Sequence, residues 1–359
     1  MHNVLPTAAD VADAHLRLRD WVVETPVLES EPLNRRIGAR VLFKAECLQR
    51  SGSFKIRGAL NRMLQLSHAE RSAGVVAFSS GNHARAVALA ASWLGTRATI
   101  VMPSDAPRNK LDGTRALGAE VVLYDRERDD REAIAVRLAV ERGAALVPPF
   151  DHPHVIAGQG TAAVELGRAL VARHTTLDAL YVPCSGGGLV AGSALAIRPI
   201  FVDCAIYAVE PVGYTDHADS LAAGERRTLA SHPATICDGL RATTPGAITF
   251  AINKRELAGA IAVDDETVLE AMALAAEHLK LVVEPSGAAA LAALLRDPPS
   301  GEPRYPETNP AVWSSAARSR KLCARSSRTS ACRPVMNNVP GSNRYQSSNR
   351  AIWRNCIRR

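Results

Sequence analysis

An α/β protein with parallel sheets is what this sequence predicts, and two observations carry it. Short apolar runs of strand length alternate with helical apolar periods from residue 41 to residue 209, and at two places the strand passes into the helix through a polar, glycine-bearing turn. With 359 residues, 47% of them hydrophobic, the chain can bury a large core, and its length suggests about two domains.

The elements follow in order. Residues 8–23 place apolar side chains at helical spacing, and Thr25-Pro26 ends the pattern. Residues 41–45 read as a strand leading toward Lys55 in the turn Ser51-Gly52-Ser53-Phe54-Lys55, which opens a helix-compatible run through Met63. Residues 74–78 read as a buried strand running into Ser79-Ser80-Gly81-Asn82-His83, and residues 84–94 as the helix beyond it. Residues 99–102 and 121–124 are further strands, with helices expected at 107–117 and 131–142. Residues 145–147, 180–182 and 206–209 continue the alternation, and Cys184-Ser185-Gly186-Gly187-Gly188 leads into a helical stretch at 189–197. There is no internal repeat.

Composition narrows the setting. No apolar run reaches membrane length, and the N-terminus lacks a basic stretch followed by an apolar one, so the expected location is the cytoplasm, with no membrane partner. Seven cysteines without close pairing or zinc-like spacing argue against a disulfide framework or a structural metal. The net charge of +7 is unevenly placed: from Val312 onward there are ten Arg, one Lys and no Asp or Glu, which leaves 32 basic against 36 acidic side chains before it. The body is mildly acidic and does not point to a nucleic-acid partner; the basic character belongs to the tail.

Chemistry is concentrated in the turns. Open parallel sheets bind ligands outside the carboxyl ends of their strands, where both polar turns lie. The glycines at 186–188 expose backbone N–H groups at a helix start, a natural cup for a phosphate. A lysine set in a small-residue turn has a fixed amine that can hold an aldehyde. The two together point to pyridoxal phosphate.

SGSFKIRGA, SSGNHA, PFDHPHVIAGQGT, PCSGGGLVAG, VEP and VEPSGAAAL, in this order between about residue 25 and residue 295, resemble the pyridoxal-phosphate-dependent serine/threonine dehydratase family. The fold implied is fold type II, tryptophan synthase β-subunit-like, and the nearest types are the catabolic threonine dehydratases and serine racemases. The resemblance implies two open parallel-sheet domains: a large one of residues 1–73 plus 153–311 and a small one of residues 74–152, with the cofactor between them. It implies a homodimer acting on a small amino acid.

Residue roles come with the resemblance. Lys55 would hold the cofactor and carry the substrate α-proton; Phe54 and Asn82 would flank the pyridine ring and its hydroxyl. Ser79, Asn82 and His83 match the cradle of the substrate carboxylate, Ser80 the second acid/base of the racemases, and Arg131 a further carboxylate contact. Ser185, Gly186, Gly187 and Gly188 would take the phosphate, and Glu284 would lie near the cofactor with Ser286 capping the helix after it. Asp238-Gly239-Leu240 reads as a structural loop. Glu210 and Asp216, in Glu-Pro-Val-Gly-Tyr-Thr-Asp, are hard oxygen donors suited to Mg²⁺ or Ca²⁺ with the carbonyl of Tyr214, a spacing that a solvated loop would also show.

One departure stands at the end of the body. Family members close with a strand and a Ser-Gly-Gly-Asn-like turn whose serine meets the pyridine nitrogen, and no such turn follows Glu284. Residues 312–359 are an aberrant basic C-terminal tail without period, expected to be disordered. Codons exist for residues 312–317 that, read one nucleotide earlier, give the missing Val-Val-Leu-Ser-Gly, so a frameshift near Ala311 is the expectation. The activity expected is β-elimination of serine or threonine to a 2-oxo acid and ammonia. The alternatives are a racemase with dehydratase side activity, or an impaired relative whose tail binds nucleic acid.

Overall fold

The computed structural model describes residues 4–79 and 81–296, all within the first of the chain's two units, Met1–Tyr305. Its strands are β1 (Val27–Glu29), β2 (Leu42–Lys44), β3 (Val75–Phe78), β4 (Ala98–Pro103), β5 (Glu120–Tyr124), β6 (Ala145–Leu146), β7 (Ala179–Pro183), β8 (Ala205–Pro211) and β9 (Gly259–Val263). They form a four-stranded parallel sheet in the order β5-β4-β3-β6, a three-stranded parallel sheet β7-β8-β9, and a small antiparallel ribbon β1-β2. The α/β class with parallel sheets is as the sequence predicts. The ribbon is an addition, because residues 41–45 pair with a three-residue strand too short to carry a period of its own.

In the first sheet the strand order turns back at β3: β4 and β5 lie to one side, and β6 returns to the other. Connecting helices must therefore cover opposite faces, and a crevice opens outside the carboxyl ends of β3 and β6. Valines and alanines of β3 and β4 are buried throughout, as expected of central parallel strands coated on both faces. The second sheet is covered by the helices Gly188–Ile197 and Pro285–Arg296.

The helix Lys55–Leu64 carries the lysine and packs on the 20-residue helix Pro153–Ala172. Their axes approach closely because both are glycine-bearing where they touch: a Cβ on Gly158 would lie 2.6 Å from the Arg57 carbonyl. Arg57 is fully buried and uses its whole guanidinium. It donates to both oxygens of Glu46 at 2.8 Å, to those of Glu165 at 2.6 and 2.8 Å, and more distantly to Thr161 and the Val23 carbonyl. Lys44 of β2 reaches the same Glu165 at 2.6 Å. Two cations and two carboxylates thus lock the ribbon, the long helix and the lysine helix together.

The first helix, Ala8–Leu18, is shorter than its apolar pattern; a capping box of Thr7 and Asp10 starts it, and Trp21 and Val22 continue only as a turn on the Leu18 carbonyl. Cys47, Cys184, Cys204 and Cys237 are free thiols. Among the described residues no helix is long and apolar enough to cross a membrane. Ser80 and the residues from 297 to the C-terminus, including the basic tail, lie outside the described residues.

Candidate active site

Lys55 is the first residue of its helix, with Phe54 as the preceding cap position. Its Nζ donates to the Pro149 carbonyl at 2.9 Å and lies 5.2 Å from the Phe54 ring centroid. Burial pulls its amine down to about 8, against the opposing attraction of the Glu284 carboxylate. Pro149 belongs to the segment that leaves β6, so the lysine sits in the crevice where the strand order turns back.

The turn after β3 borders the same crevice. The Ser79 hydroxyl accepts from Gly81 N at 3.2 Å, and Asn82 opens the helix Asn82–Leu94. Asn82 Nδ2 donates to Glu284 Oε1 at 2.6 Å, which ties this turn to the start of the helix Pro285–Arg296. Burial pushes the Glu284 carboxyl up, opposed by the Asn82 hydrogen bond. His83 is buried, and burial, followed by the charge of Lys55, pulls its pKa down to about 3. Because its Nε2 faces the Val147 carbonyl at 2.8 Å, the ring is neutral with its proton on Nε2. Its Nδ1 is then a buried acceptor without a hydrogen bond.

The glycine turn reaches this group through Phe150. A Cβ on Gly186 would stand 2.4 Å from the Phe150 ring, so the residue next to the lysine's carbonyl partner occupies the face that glycine leaves open. The Gly186 carbonyl accepts from the Thr249 hydroxyl at 2.6 Å, and the Ser185 hydroxyl accepts from Ala242 N at 3.1 Å. Gly187 caps the helix Gly188–Ile197 with φ +92°, a conformation glycine adopts without strain, and the first-turn N–H groups of that helix point out of it. A lysine amine held neutral above about pH 8, an orphaned acceptor on His83 and a helix start stripped of side chains fit pyridoxal phosphate: Lys55 would hold its aldehyde carbon and the N–H groups of 185–188 its phosphate.

Glu210, Asp216 and His217 form a second cluster, all buried, with one ligand atom of each within 4.8 Å of the others. Glu210, in the central strand β8, accepts from His217 N at 2.8 Å and Ala218 N at 3.0 Å. Both oxygens of Asp216 are buried without a hydrogen-bond donor. Burial pushes both carboxyls up, and the charge of Asp216 adds to the rise at Glu210. A divalent cation would answer that unmet charge with oxygen ligands. Tyr214 is buried beside the cluster, its hydroxyl accepting from Arg241 Nε and donating to the Pro233 carbonyl, both at 3.0 Å. His217 extends the pattern read from the sequence, and it links the two sites: a Cβ on Gly187 would lie 2.6 Å from His217 Nε2 and 2.7 Å from Asn253 Nδ2.

Lys55, Phe54, Ser79, Asn82, His83 and Glu284 are thus brought together, and the glycine turn joins them across Phe150. Arg131 is not hydrogen-bonded into this group; its guanidinium lies 5.9 Å from the ring centroid of Phe78, at the end of β3. Ser286 does not cap its helix: it lies within the first turn and accepts from Gly239 N at 2.9 Å, pinning the Asp238–Leu240 turn. Phe150 and Asn253 carry no sequence signal beyond their neighbourhood.

Fold and site together define a fold type II enzyme of the α/β class. The chain belongs to the family described as pyridoxal-phosphate dependent enzyme, whose model matches residues 18–305. It is 46% identical over 292 residues to the L-threo-3-hydroxyaspartate ammonia-lyase of Saccharomyces cerevisiae, covering 81% of this chain and 88% of that protein. It is 45% identical over 290 residues to the serine racemase of Schizosaccharomyces pombe, with 81% and 88% covered. Among solved structures it is similar to the T.th. threonine deaminase, at 43% identity and a TM-score of 0.77, covering 81% of this chain and 93% of that one.

Proposed function

We propose that the protein removes the β-hydroxyl of a small hydroxyamino acid, serine or threonine, giving a 2-oxo acid and ammonia. The observation that carries this reading is a half-buried lysine, low in pKa, whose charge acts both on His83 in the turn after β3 and on the Glu284 that Asn82 of that turn holds. Pyridoxal phosphate, when bound, supplies the electron sink that lets the α-proton leave. The amine of Lys55, freed when the substrate's own amine replaces it on the aldehyde carbon, would take that proton. The Cβ–O bond would break as the hydroxyl takes up a proton from solvent and leaves as water, and water would then hydrolyse the enamine to the 2-oxo acid and ammonia. The turn at 79–83 holds the α-carboxylate, with neutral His83 and Asn82 fixing its walls. Ser185 and Gly186 to Gly188 hold the phosphate, and Arg131 adds charge near the end of β3. The proposal takes residues 74–152 as the small domain and the enzyme as a homodimer, both on the motif resemblance, and places it in the cytoplasm on the hydropathy of the sequence.

The test is an assay of the holoenzyme on L-serine and L-threonine, measuring 2-oxo acid and ammonia release together with the chirality of unreacted amino acid. Stoichiometric oxo acid and ammonia are expected. Inversion of configuration without ammonia release would replace the lyase by the racemase reading, which the S. pombe relative favours.

The metal belongs to the same proposal, with Mg²⁺ or Ca²⁺ held by Glu210, Asp216 and the Tyr214 carbonyl. Since His217 packs on Gly187, loss of the ion would loosen the phosphate cup. Chelation is expected to lower both the melting temperature and the affinity for pyridoxal phosphate, and Asp216→Ala to abolish that sensitivity. Wild type and variant responding alike to chelator would leave the cluster as buried acids only.

A further inference from the structure

The helix Ala247–Glu256 starts without a cap of its own, because Gly246 at its N-cap position has no side chain to meet the first N–H groups. A carboxylate from elsewhere in the chain takes that place. Asp151 Oδ2 accepts from Ala247 N at 2.8 Å, and its Oδ1 accepts from Ile248 N at 2.9 Å and Thr249 N at 3.1 Å. A Cβ on Gly246 would lie 2.4 Å from Oδ1, so the glycine makes room for the carboxylate. The helix capped in this way reaches the glycine turn. Thr249 Oγ1 donates to the Gly186 carbonyl at 2.6 Å, and Gly246 N donates to the same oxygen at 3.2 Å. An anion seated at the turn must meet N–H groups and not carbonyl oxygens, whose lone pairs repel it. The Gly187 oxygen is taken up by its own helix, through Ala191 N at 3.0 Å. The Gly186 oxygen precedes that helix, and Thr249 and Gly246 supply its partners instead. Because Thr249 is fully buried, they turn this oxygen into the interior and away from the crevice.

We propose that Asp151 is a positioning residue for the cofactor's phosphate: by capping the helix Ala247–Glu256 it holds Thr249 where its hydroxyl keeps the Gly186 carbonyl out of the phosphate cup. This deepens the placing of the phosphate at residues 185–188 and rests on it. Without the carboxylate, the first N–H groups of the helix lose their acceptor and its first turn frays, taking Thr249 with it. The Gly186 carbonyl is then free to turn toward the anion. The loss falls on the phosphate end of the cofactor and not on the aldehyde end. Lys55 also touches the segment that carries Asp151, through the Pro149 carbonyl, but it keeps its place on its own helix, which Arg57 ties to Glu46 and Glu165.

The test is equilibrium dialysis of the full-length apo-protein against pyridoxal phosphate and against pyridoxal, the same aldehyde without the phosphate. Wild type should hold the phosphorylated form more tightly. Asp151→Ala should cut that preference about 10–100-fold, the worth of one charge-assisted hydrogen bond, while binding pyridoxal as wild type does. Asp151→Asn, whose amide oxygen can still cap a helix, should recover part of the loss. Thr249→Val should lower the preference as well, and the double variant Asp151→Ala, Thr249→Val should fall no further than Thr249→Val alone, since the carboxylate acts through the hydroxyl. Inorganic phosphate, which needs no lysine, should raise the melting temperature of wild type more than that of Asp151→Ala. An equal fall for pyridoxal and pyridoxal phosphate in Asp151→Ala would overturn the proposal and leave a cap that only holds the fold; so would a preference equal to that of wild type. If Asp151→Ala does not fold, Asp151→Asn and Thr249→Val decide by the same ratio. A wild type that holds both aldehydes equally would remove the phosphate cup itself, and the proposal with it.

Discussion

Lys55→Ala abolishes turnover, with a loss of at least about 10⁴-fold, because one substitution removes both the tether of the cofactor and the carrier of the α-proton. Borohydride treatment of the wild-type holoenzyme fixes the cofactor on Lys55; in the variant the cofactor washes out, and label on any other lysine would refute the assignment. The pH dependence separates this amine from an ordinary one. Burial holds its pKa at about 8 rather than 10.5, so it is neutral above about pH 8. Capture of pyridoxal phosphate by the apo-protein should therefore quicken about tenfold per pH unit up to that point and then level off, whereas an unperturbed lysine would go on gaining. Linkage gives the matching sign for stability: between about pH 8 and 10.5 the unfolded chain binds the proton that the folded one has released, so the apo fold gains stability as pH rises through that window.

Arg57→Met is expected to cost about 3–5 kcal/mol of folding stability, measured by denaturant titration, because it strands two carboxylates that the guanidinium neutralises. Glu46 and Glu165 would then face each other across Lys44, at 3.9 Å from the first and 2.6 Å from the second. Arg57→Lys keeps the charge but loses the fork that meets both carboxylates at once, so it should recover only part of the loss. The triple change Arg57→Met, Glu46→Gln, Glu165→Gln should recover more than Arg57→Lys, since the uncompensated charges go with it. If Arg57→Met alone is as stable as wild type, the network does not hold the lysine helix.

Much of this was legible in the chain. The strands β3, β4 and β8 announce themselves because central parallel strands are apolar on both faces, β7 is marked only by its short apolar run, and the turns after β3 and β7 stand out because polar and glycine residues interrupt the pattern. β9, Gly-Ala-Ile-Ala-Val, escaped because small residues give neither alternation nor bulk, and it becomes a strand only by pairing with β8. The helix Pro153–Ala172 was hidden by its own glycines, which look like a turn and serve instead to let Arg57 and Gly192 approach. The Asp151 carboxylate and the helix start that it caps are 96 to 98 positions apart, a contact set by the packing of the folded chain and not by any local pattern. His217 was one residue from Asp216 in plain view; what the sequence lacks is the direction of its ring toward Gly187.

The anchoring of Arg57 by Glu165 also has a history in time. The two residues are 108 positions apart, and at synthesis rates of about 5–20 residues per second the second follows the first by roughly 5–20 s. Throughout that interval the nascent helix of Lys55 has no long helix to dock on and no carboxylate from it to neutralise its arginine. Its lysine is then a solvated, protonated amine like any other. The lowered pKa of Lys55 is therefore not a property the segment is born with: it needs the burial of the folded chain, in which the amine meets the carbonyl of Pro149, 94 positions further on.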